Sequence, residues 1–304
     1  MIIADGKCLY HFCNLDAFQS ITKNKELWLS ETKTMNDATE LQWFASNIKP
    51  ILVEYYEKQS DEFKKKYCDK FHTLIDNVYD EFFSENSYYH MFILCLSKNG
   101  DLLSQWRGYT SDGGNGISIG FNKQKLLELL QVQNTSPPII EIGEIDYDDK
   151  SKSKKYIEHI AENKLFDELD EIEIADKDNF VTKSFAVIEK HFKIMFCNAA
   201  LVKSDFFAEE SEVRLFAWAT LNSNGCNVPQ CFTLSPIQYR SRENMIIPYI
   251  KMNFSKYCDI ANLIDEVVIG PKCQAPPSFI SAILKSNGFV NAKVRKSDGF
   301  GIYR

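Results

Sequence analysis

The chain has 304 residues, a net charge of −7 and nine cysteines, with 44% hydrophobic and 25% charged residues. A chain of this length can bury a large core, as one domain or as two coupled lobes, and its composition excludes the disordered and fibrous classes. The negative charge gives no long-range attraction to phosphate backbones. Nucleic acid is therefore a possible acceptor or substrate, but it is not the expected partner by default.

The N-terminal residues include Asp5 and Lys7 and lack the long apolar stretch of a secretory signal. No window approaches 18 consecutive apolar residues, so we expect a cytoplasmic protein with no membrane partner. The cysteines are odd in number and scattered, and the pair Cys226 and Cys231 has no nearby histidine. The sequence therefore predicts reduced thiols and no metal site.

Two short strands frame a helix at the start of the chain. Residues 9–12 alternate in polarity, Asn14 is a suitable N-cap, and residues 27–30 form the second strand. Asp37 and Glu40 then have the spacing of a capping box. A long helix beginning there and another at about residues 60–83 predict a helical hairpin within an insertion of about residues 37–85.

The remaining pattern predicts a sheet with one further helical insertion. Residues 91–97 form an apolar strand, a short helical turn and a glycine-rich loop follow, and residues 117–121 resume as a strand. Helix dominates a second insertion of about residues 150–203. Strands then follow at about residues 213–220, 231–239, 245–252, 266–269 and 292–295, with a helix at 276–285. The order predicts a single α+β domain over residues 1–304.

His11 lies in the middle of the first strand, where its ring shares a face with Leu9 and Cys13. Two interpretations remain open. The ring is either a satisfied, half-buried histidine of the core or a neutral imidazole that meets a ligand from a rigid strand.

Residues 104–109 place an amide, an indole, a guanidinium and a phenol directly before the glycine-rich loop. In one interpretation Trp106 anchors the core while Gln105 and Arg107 cap neighbouring loops. In the other these side chains form the floor of a ligand site, with an aromatic ring for stacking and Arg107 for phosphate. The glycines precede a strand without the spacing of a dinucleotide fingerprint, which excludes that motif.

Three glutamates, at positions 209, 210 and 212, crowd in front of a strand that carries Arg214. On an extended chain Glu210, Glu212 and Arg214 face the same side. Two neighbouring carboxylates repel each other, so such a pair is either solvated, neutralised or used by a site. The structural alternative is that Arg214 simply neutralises Glu212.

With these residues in view, the chain resembles a large bacterial family of unknown function, number two-nine-seven-one. The matching features are Leu9-Tyr10-His11, Leu27-Trp28-Leu29-Ser30, Asn36-Asp37 with Glu40, Leu96-Ser97, Leu103 to Tyr109, Gly116 to Phe121, Glu209 to Arg214, Ile269-Gly270-Pro271 and Tyr303-Arg304. The resemblance covers nearly the whole length and names relatives without an activity.

A second resemblance, to ADP-ribosyltransferases, implies a split β-sheet core that holds NAD as a substrate. That superfamily places a His or Arg on an N-terminal strand, then a middle strand, then a later Glu, often within a Glu/Gln-X-Glu motif. The order His11, residues 97–109 and Glu212 is similar, and Glu210-Ser211-Glu212 has the motif's spacing. The middle residue is either Ser97 or Tyr109.

The resemblance also implies roles for these residues. Glu212 would oppose the positive charge that develops on the ribose as nicotinamide leaves, and Glu210 would orient or deprotonate a protein or nucleic-acid acceptor. His11 would hold the adenosine-side ribose or the nicotinamide edge. Water as the acceptor would make the enzyme an NAD glycohydrolase, and a toxin or anti-phage effector is the biological role implied.

Further NAD-binding residues would be Ser97 and Gln105, with Trp106 or Tyr109 stacking on nicotinamide and Arg107 on the pyrophosphate. We expect His11, Tyr109 and Glu212 to surround one cleft. Two other classes stay open. One is a non-catalytic nucleotide-sensing or protein-interaction module, and the other is a metal-dependent hydrolase or nuclease that uses Glu210, Glu212 and Asp37.

Overall fold

A computed structural model describes residues 7–35, 39–68, 70–131, 140–148, 151–173, 177–222, 225–227, 234–242, 244–257 and 259–302. The described strands are β1 (Cys8–Cys13), β2 (Glu26–Glu31), β3 (Tyr89–Ser97), β4 (Ile117–Asn122), β5 (Ile140–Glu144), β6 (Asp146–Asp148), β7 (Val202–Ser204), β8 (Glu212–Asn222), β9 (Gly225–Asn227), β10 (Gln238–Arg242), β11 (Met245–Asn253), β12 (Ile264–Ile269) and β13 (Lys293–Lys296).

The described helices are α1 (Leu15–Asn24), α2 (Thr39–Glu57), α3 (Asp61–Tyr67), α4 (Lys70–Phe83), α5 (Leu103–Tyr109), α6 (Lys123–Gln131), α7 (Ser151–Ile160), α8 (Phe166–Asp170), α9 (Lys177–Ala199) and α10 (Pro277–Ser286). A π-helical turn (Ala161–Leu165) joins α7 to α8, and 3-10 turns occur at Thr32–Thr34, Asp205–Glu210 and Ile260–Asn262. Among all the residues that the structure describes, no helix is long and apolar enough to cross a membrane.

Eleven of these strands form one mixed sheet, in the order β10-β11-β2-β3-β1-β4-β12-β13, with β8 on the other edge of β3 and β5 and β9 paired to β8. The ladders are antiparallel except β12 with β13. A separate pair, β6 and β7, is parallel. The predicted α+β class is therefore confirmed.

The sheet divides along one edge of β3. The other edge pairs continuously with β8, from Tyr89 to Ser97. On the divided edge, β2 pairs only at Phe92 and Ile93, and β1 pairs only at Ser97. Among the described residues, the three between them on β3 have no ladder partner on this edge. β1 and β2 therefore diverge from β3, and α1 connects them.

Each face of the sheet covers its own hydrophobic core. On one face, Leu9 and Leu94 pack with side chains of α1, α6 and α10. On the other face, Phe216 and Met91 pack with α2, α4 and the helices α7 to α9. Both predicted helical insertions thus lie on this second face, because their apolar stripes have only that side of the sheet left to cover.

Two sequence predictions need correction at element boundaries. The helix predicted for residues 60–83 is two helices, α3 and α4, because Cys68 adopts φ 43° and ψ −136°, which stops the first. The strand predicted at residues 231–239 lies partly outside the described residues, and the strand that the structure shows there is β10. The predicted capping residue Asp37 and the closing residues 303–304 are also outside the described residues.

Candidate functional site

A cleft of about 460 Å³ opens where β1 and β2 diverge. Its wall comprises His11 and Phe12 of β1, Asp16, Ala17, Ser20 and Ile21 of α1, Glu26, Trp28 and Ser30 of β2, Met35, Ile93, Leu94 and Cys95 of β3, Gln105 and Tyr109 of α5, and Arg240 of β10. Leu94 and Cys95 are successive strand residues that point to opposite faces, and both line the cleft. The cleft therefore passes through the split in the sheet and receives side chains from both faces.

His11 reaches across the split to the unpaired edge of β3. Its Nδ1 lies 3.2 Å from the carbonyl oxygen of Cys95, so Nδ1 donates and Nε2 is left as an acceptor in the neutral ring. Burial lowers the pKa of His11, against the opposing effect of the Cys95 carbonyl. The imidazole is therefore neutral near pH 7, as the functional interpretation of this residue requires.

The helix α5 presents different residues to the cleft and to the core. Gln105 and Tyr109, one turn apart, line the cleft. Trp106 does not, because its indole packs edge-on against Phe12 with ring centroids 4.7 Å apart and its Nε1 donates to Asp101 at 2.7 Å. Trp106 is a core anchor, 1% exposed, and the stacking role predicted for this residue is not supported.

Arg107 and Ser97, two further predicted binding residues, also lie away from the cleft wall. Arg107 is exposed on the outer side of α5. Ser97 is buried and donates from Oγ to the carbonyl oxygen of Glu210 at 2.8 Å. Ser97 therefore ties β3 to the segment before β8 and does not face an occupant of the cleft.

The opposite wall carries an aromatic and cationic group of side chains. The indole of Trp28 stacks on Tyr249 with ring centroids 4.4 Å apart, and the Arg240 guanidinium carbon lies 5.7 Å from the Trp28 ring centre. Arg240 donates from Nη2 to Ser30 Oγ at 3.0 Å. Lys251 Nζ lies 5.4 Å from the same indole. Here a planar ring is flanked by two cations.

Glu212 belongs to a buried ionic cluster behind the cleft. Its Oε1 accepts from Arg214 Nε at 2.7 Å, and its Oε2 accepts from Lys203 Nζ at 3.2 Å. Lys203 also donates to Glu210 Oε2 at 2.8 Å, and Arg214 Nη1 donates to the carbonyl oxygen of Ala200 at 2.9 Å. Two carboxylates and two cations thus offset one another, with Lys203, Glu212 and Arg214 buried and Glu210 partly exposed.

Burial opposes ionisation of Glu212, but Arg214 and Lys203 outweigh it and hold the pKa of this carboxyl below its ordinary value. The small β6–β7 sheet helps to place the group. Tyr147 and Lys203 are paired across that sheet, and Tyr147 Oη accepts from the Glu212 backbone N–H at 2.6 Å. The strands at the two ends of the second helical insertion therefore clamp the start of β8.

Glu210 does not lie on the strand with Glu212, as the alternation had predicted. It ends the 3-10 turn Asp205–Glu210, and Ser211 adopts a left-handed conformation with φ 47° and ψ 50°. That turn rotates Glu210 out of the strand register. Lys203 nevertheless brings the two carboxylates to the same ammonium group, which relieves their repulsion.

The cleft and the ionic cluster meet at two side chains. Cys95 and Tyr109 line the cleft, and burial, reinforced by the nearby charge of Glu212, raises the pKa of the Cys95 thiol. Burial, reinforced by Cys95 and Glu210, raises the pKa of Tyr109, which therefore stays protonated as a donor. Glu212 does not line the cleft, and its side chain leaves the sheet on the face opposite to His11. The expectation that His11, Tyr109 and Glu212 surround one cleft is therefore wrong for Glu212, because only His11 and Tyr109 line the cleft.

Several wall and cluster residues were not singled out as site residues from the sequence. Trp28 and Ser30 alternate with the buried Leu27 and Leu29, a signal that both face away from the core. Arg240, Lys203 and Tyr147 gave no comparable signal, because only the pairing of distant strands brings them to the site. Within the described residues, no group of three His, Cys, Asp or Glu side chains is arranged to hold a metal ion.

Residues 105–215 match the model of a family described as "Protein of unknown function (DUF2971)". The match confirms the family resemblance over this segment, which includes α5 with Gln105 and Tyr109 and the start of β8 with Glu212. Comparison with curated proteins and with solved structures found no match.

Proposed function

We propose that the cleft binds NAD and that the chain is an ADP-ribosyltransferase-like enzyme, which transfers ADP-ribose to a protein or nucleic-acid acceptor. The observation that carries the proposal is the division of the sheet at β3, with His11 and Tyr109 on one side of the resulting cleft and Trp28 and Arg240 on the other. On the resemblance alone, a toxin or anti-phage effector is the proposed biological role.

The functional groups on the cleft wall match the functional groups of NAD. A neutral imidazole and a protonated phenol suit ribose hydroxyl groups and the nicotinamide carboxamide. An indole face suits a planar ring, and a guanidinium suits a pyrophosphate.

The strand order gives further support. β1, β3 and β8 lie side by side, with Tyr10 opposite Ser97 and Ser97 opposite Glu212. The resemblance to ADP-ribosyltransferases implies the same sequence of a histidine strand, a middle strand and a glutamate strand. The residue after Tyr10 is His11, so the three elements meet at the same level of the sheet.

In the proposed reaction the bond between nicotinamide nitrogen and ribose C1′ breaks, and its electron pair leaves with nicotinamide. The cationic ribose then accepts an electron pair from the acceptor nucleophile, which loses its proton to a base. Glu212 is the carboxylate proposed to oppose the ribose charge, and Glu210 is the proposed base. Because Glu212 does not line the cleft, this role requires a rearrangement that brings its carboxylate to the ribose.

One observation favours a second candidate, a module that binds a nucleotide without turning it over. Glu212 is 3% exposed and is engaged by both Arg214 and Lys203, so its charge is offset within the protein. A carboxylate paired in this way stabilises the fold and contributes little field to the cleft. Under this alternative, NAD or a related nucleotide binds but nicotinamide is not released.

Incubation of the purified full chain with labelled NAD and cell lysate tests the proposal. We expect nicotinamide release and label transfer in the wild type, and a loss of about 100-fold or more in turnover for Glu212→Gln with NAD affinity retained. The control is Glu209→Gln, since Glu209 is exposed and its side chain accepts a hydrogen bond from Ser104 Oγ at 3.2 Å.

The other outcomes separate the alternatives. A lower melting temperature for Glu212→Gln, with nicotinamide release unchanged, would remove this residue from the proposed chemistry. Binding of NAD without any release by the wild type would favour the non-catalytic module. Loss of activity on chelation, restored by a divalent ion, would favour the metal-dependent hydrolase.

A further inference from the structure

The wall formed by Trp28, Tyr249 and Arg240 comes from β2, β10 and β11, outside the segment matched by the family model. Tyr249 is 6% exposed and lies against the Trp28 indole with an interplanar angle of 23°. A buried ring of this kind fixes the plane of the indole above it. Trp28 lines the cleft with its ring held against Tyr249, which limits the entropy lost when a planar ligand packs against the indole.

The charges around this face discriminate between planar ligands. The Arg240 guanidinium lies 5.7 Å from the Trp28 ring centre, and the Lys251 ammonium lies 5.4 Å from it. The nicotinamide ring of NAD carries a positive charge, so Arg240 would repel it, whereas the charge of Lys251 is partly offset by Glu26 at 3.3 Å. Adenine is neutral and stacks on indole without that cost.

Arg240 also suits the phosphate that is attached to adenosine. Its guanidinium is held by Ser30 Oγ at 3.0 Å, and the planar fork matches two phosphate oxygens. Glu26 lines the same cleft and pairs with Lys251 at 3.3 Å. A carboxylate there repels phosphate but accepts hydrogen bonds from ribose hydroxyl groups.

We propose that Trp28 and Arg240 form the binding site for the adenosine phosphate half of the dinucleotide, with adenine on the indole and phosphate on the guanidinium. The inference rests on the proposed binding of NAD. It assigns the nicotinamide half to the side of His11, Tyr109 and Cys95, next to the ionic cluster. One wall of the cleft then selects the ligand, and the proposed bond cleavage takes place at the other wall.

Calorimetric titrations with AMP, ADP-ribose, NAD and nicotinamide mononucleotide test this assignment. Trp28→Ala and Arg240→Gln should each weaken AMP and ADP-ribose binding by about 10-fold or more. Nicotinamide mononucleotide should lose less in the Trp28→Ala variant, because its ring does not stack on the indole. Arg242→Gln is the matched control, since Arg242 is exposed on the same strand and does not line the cleft.

Circular dichroism and melting temperatures establish that each variant is folded, and Trp28→Leu, which keeps an apolar side chain without an aromatic face, replaces Trp28→Ala if that variant does not fold. Unchanged ADP-ribose affinity in folded variants of both positions would overturn the assignment, even if NAD binds and is cleaved. Binding of AMP that depends on Trp28, without binding of NAD, would support the adenosine site and remove the NAD proposal. Failure of the wild type to bind any of the four probes would overturn both.

Discussion

Two charged regions border the divided sheet, and they differ in how their charges are used. In the cluster of Lys203, Glu210, Glu212 and Arg214, opposite charges lie within 3.3 Å and the groups are largely buried. In the cleft wall, Arg240 is exposed and stands beside an indole. The charges of the first region offset one another, whereas the guanidinium of Arg240 is accessible at the cleft wall.

The difference follows from the free energy of burying a charge. An ion removed from water needs a partner and hydrogen bonds, and a fully paired cluster has little interaction left for a ligand. Several glutamates close together in a sequence therefore indicate a stabilising ionic cluster at least as readily as a catalytic site. The cleft wall combines partial exposure with a fixed geometry, which is the combination that recognition requires.

The largest expected effect concerns how much the ionic cluster contributes to the free energy of unfolding. Lys203→Met should lower the free energy of unfolding by up to about 3–5 kcal/mol, because it removes the cation that the two glutamates share and leaves Arg214 to offset the buried Glu212. Urea denaturation monitored by circular dichroism measures the change. Lys98→Met is the control, since the Lys98–Glu144 pair is partly exposed and should cost at most about 1 kcal/mol. Equal losses in the two variants would contradict this account of the cluster.

A smaller effect is expected from acid. The pKa of Glu212 is lower in the folded chain than its ordinary value of 4.5, so its contribution to stability is complete above that pH and is lost as pH falls through the folded value. The stability difference between wild type and Glu212→Gln should therefore shrink on acidification below pH 4.5. Denaturation curves at neutral and acidic pH measure this difference. A difference that stays constant would show that the carboxylate is not held ionised by its partners.

The smallest stability effect is expected in the cleft. Tyr109→Phe should change the free energy of unfolding by less than about 0.5 kcal/mol, because the phenol is partly exposed. NAD affinity should nevertheless fall by about 3- to 10-fold if the hydroxyl donates to the occupant. Calorimetry and thermal melts on the same samples separate the two quantities. A large loss of stability with unchanged affinity would place Tyr109 with the cluster instead of the cleft.

Many elements were predictable from local patterns. The alternation at residues 9–12 and 27–30, the apolar stretch 91–97 and the helix after Pro276 correspond to β1, β2, β3 and α10. Local spacing also indicated that residues 104–109 carry a site, and Gln105 and Tyr109 do line the cleft. The same spacing did not show that Trp106 belongs to the core and not to the cleft, because a large aromatic side chain suits both places equally well.

The sequence by itself determined the α+β class and the two helical insertions, and it singled out His11 and the α5 segment as candidates, since these depend on periodicity and on residue type. The tertiary structure decided where the sheet divides, because an unpaired edge exists only after β2, β1 and β8 have all met β3. It also decided that Lys203 neutralises the glutamates and that Trp28 and Arg240 share a wall. Such contacts join residues far apart along the chain, and no local pattern encodes their distance.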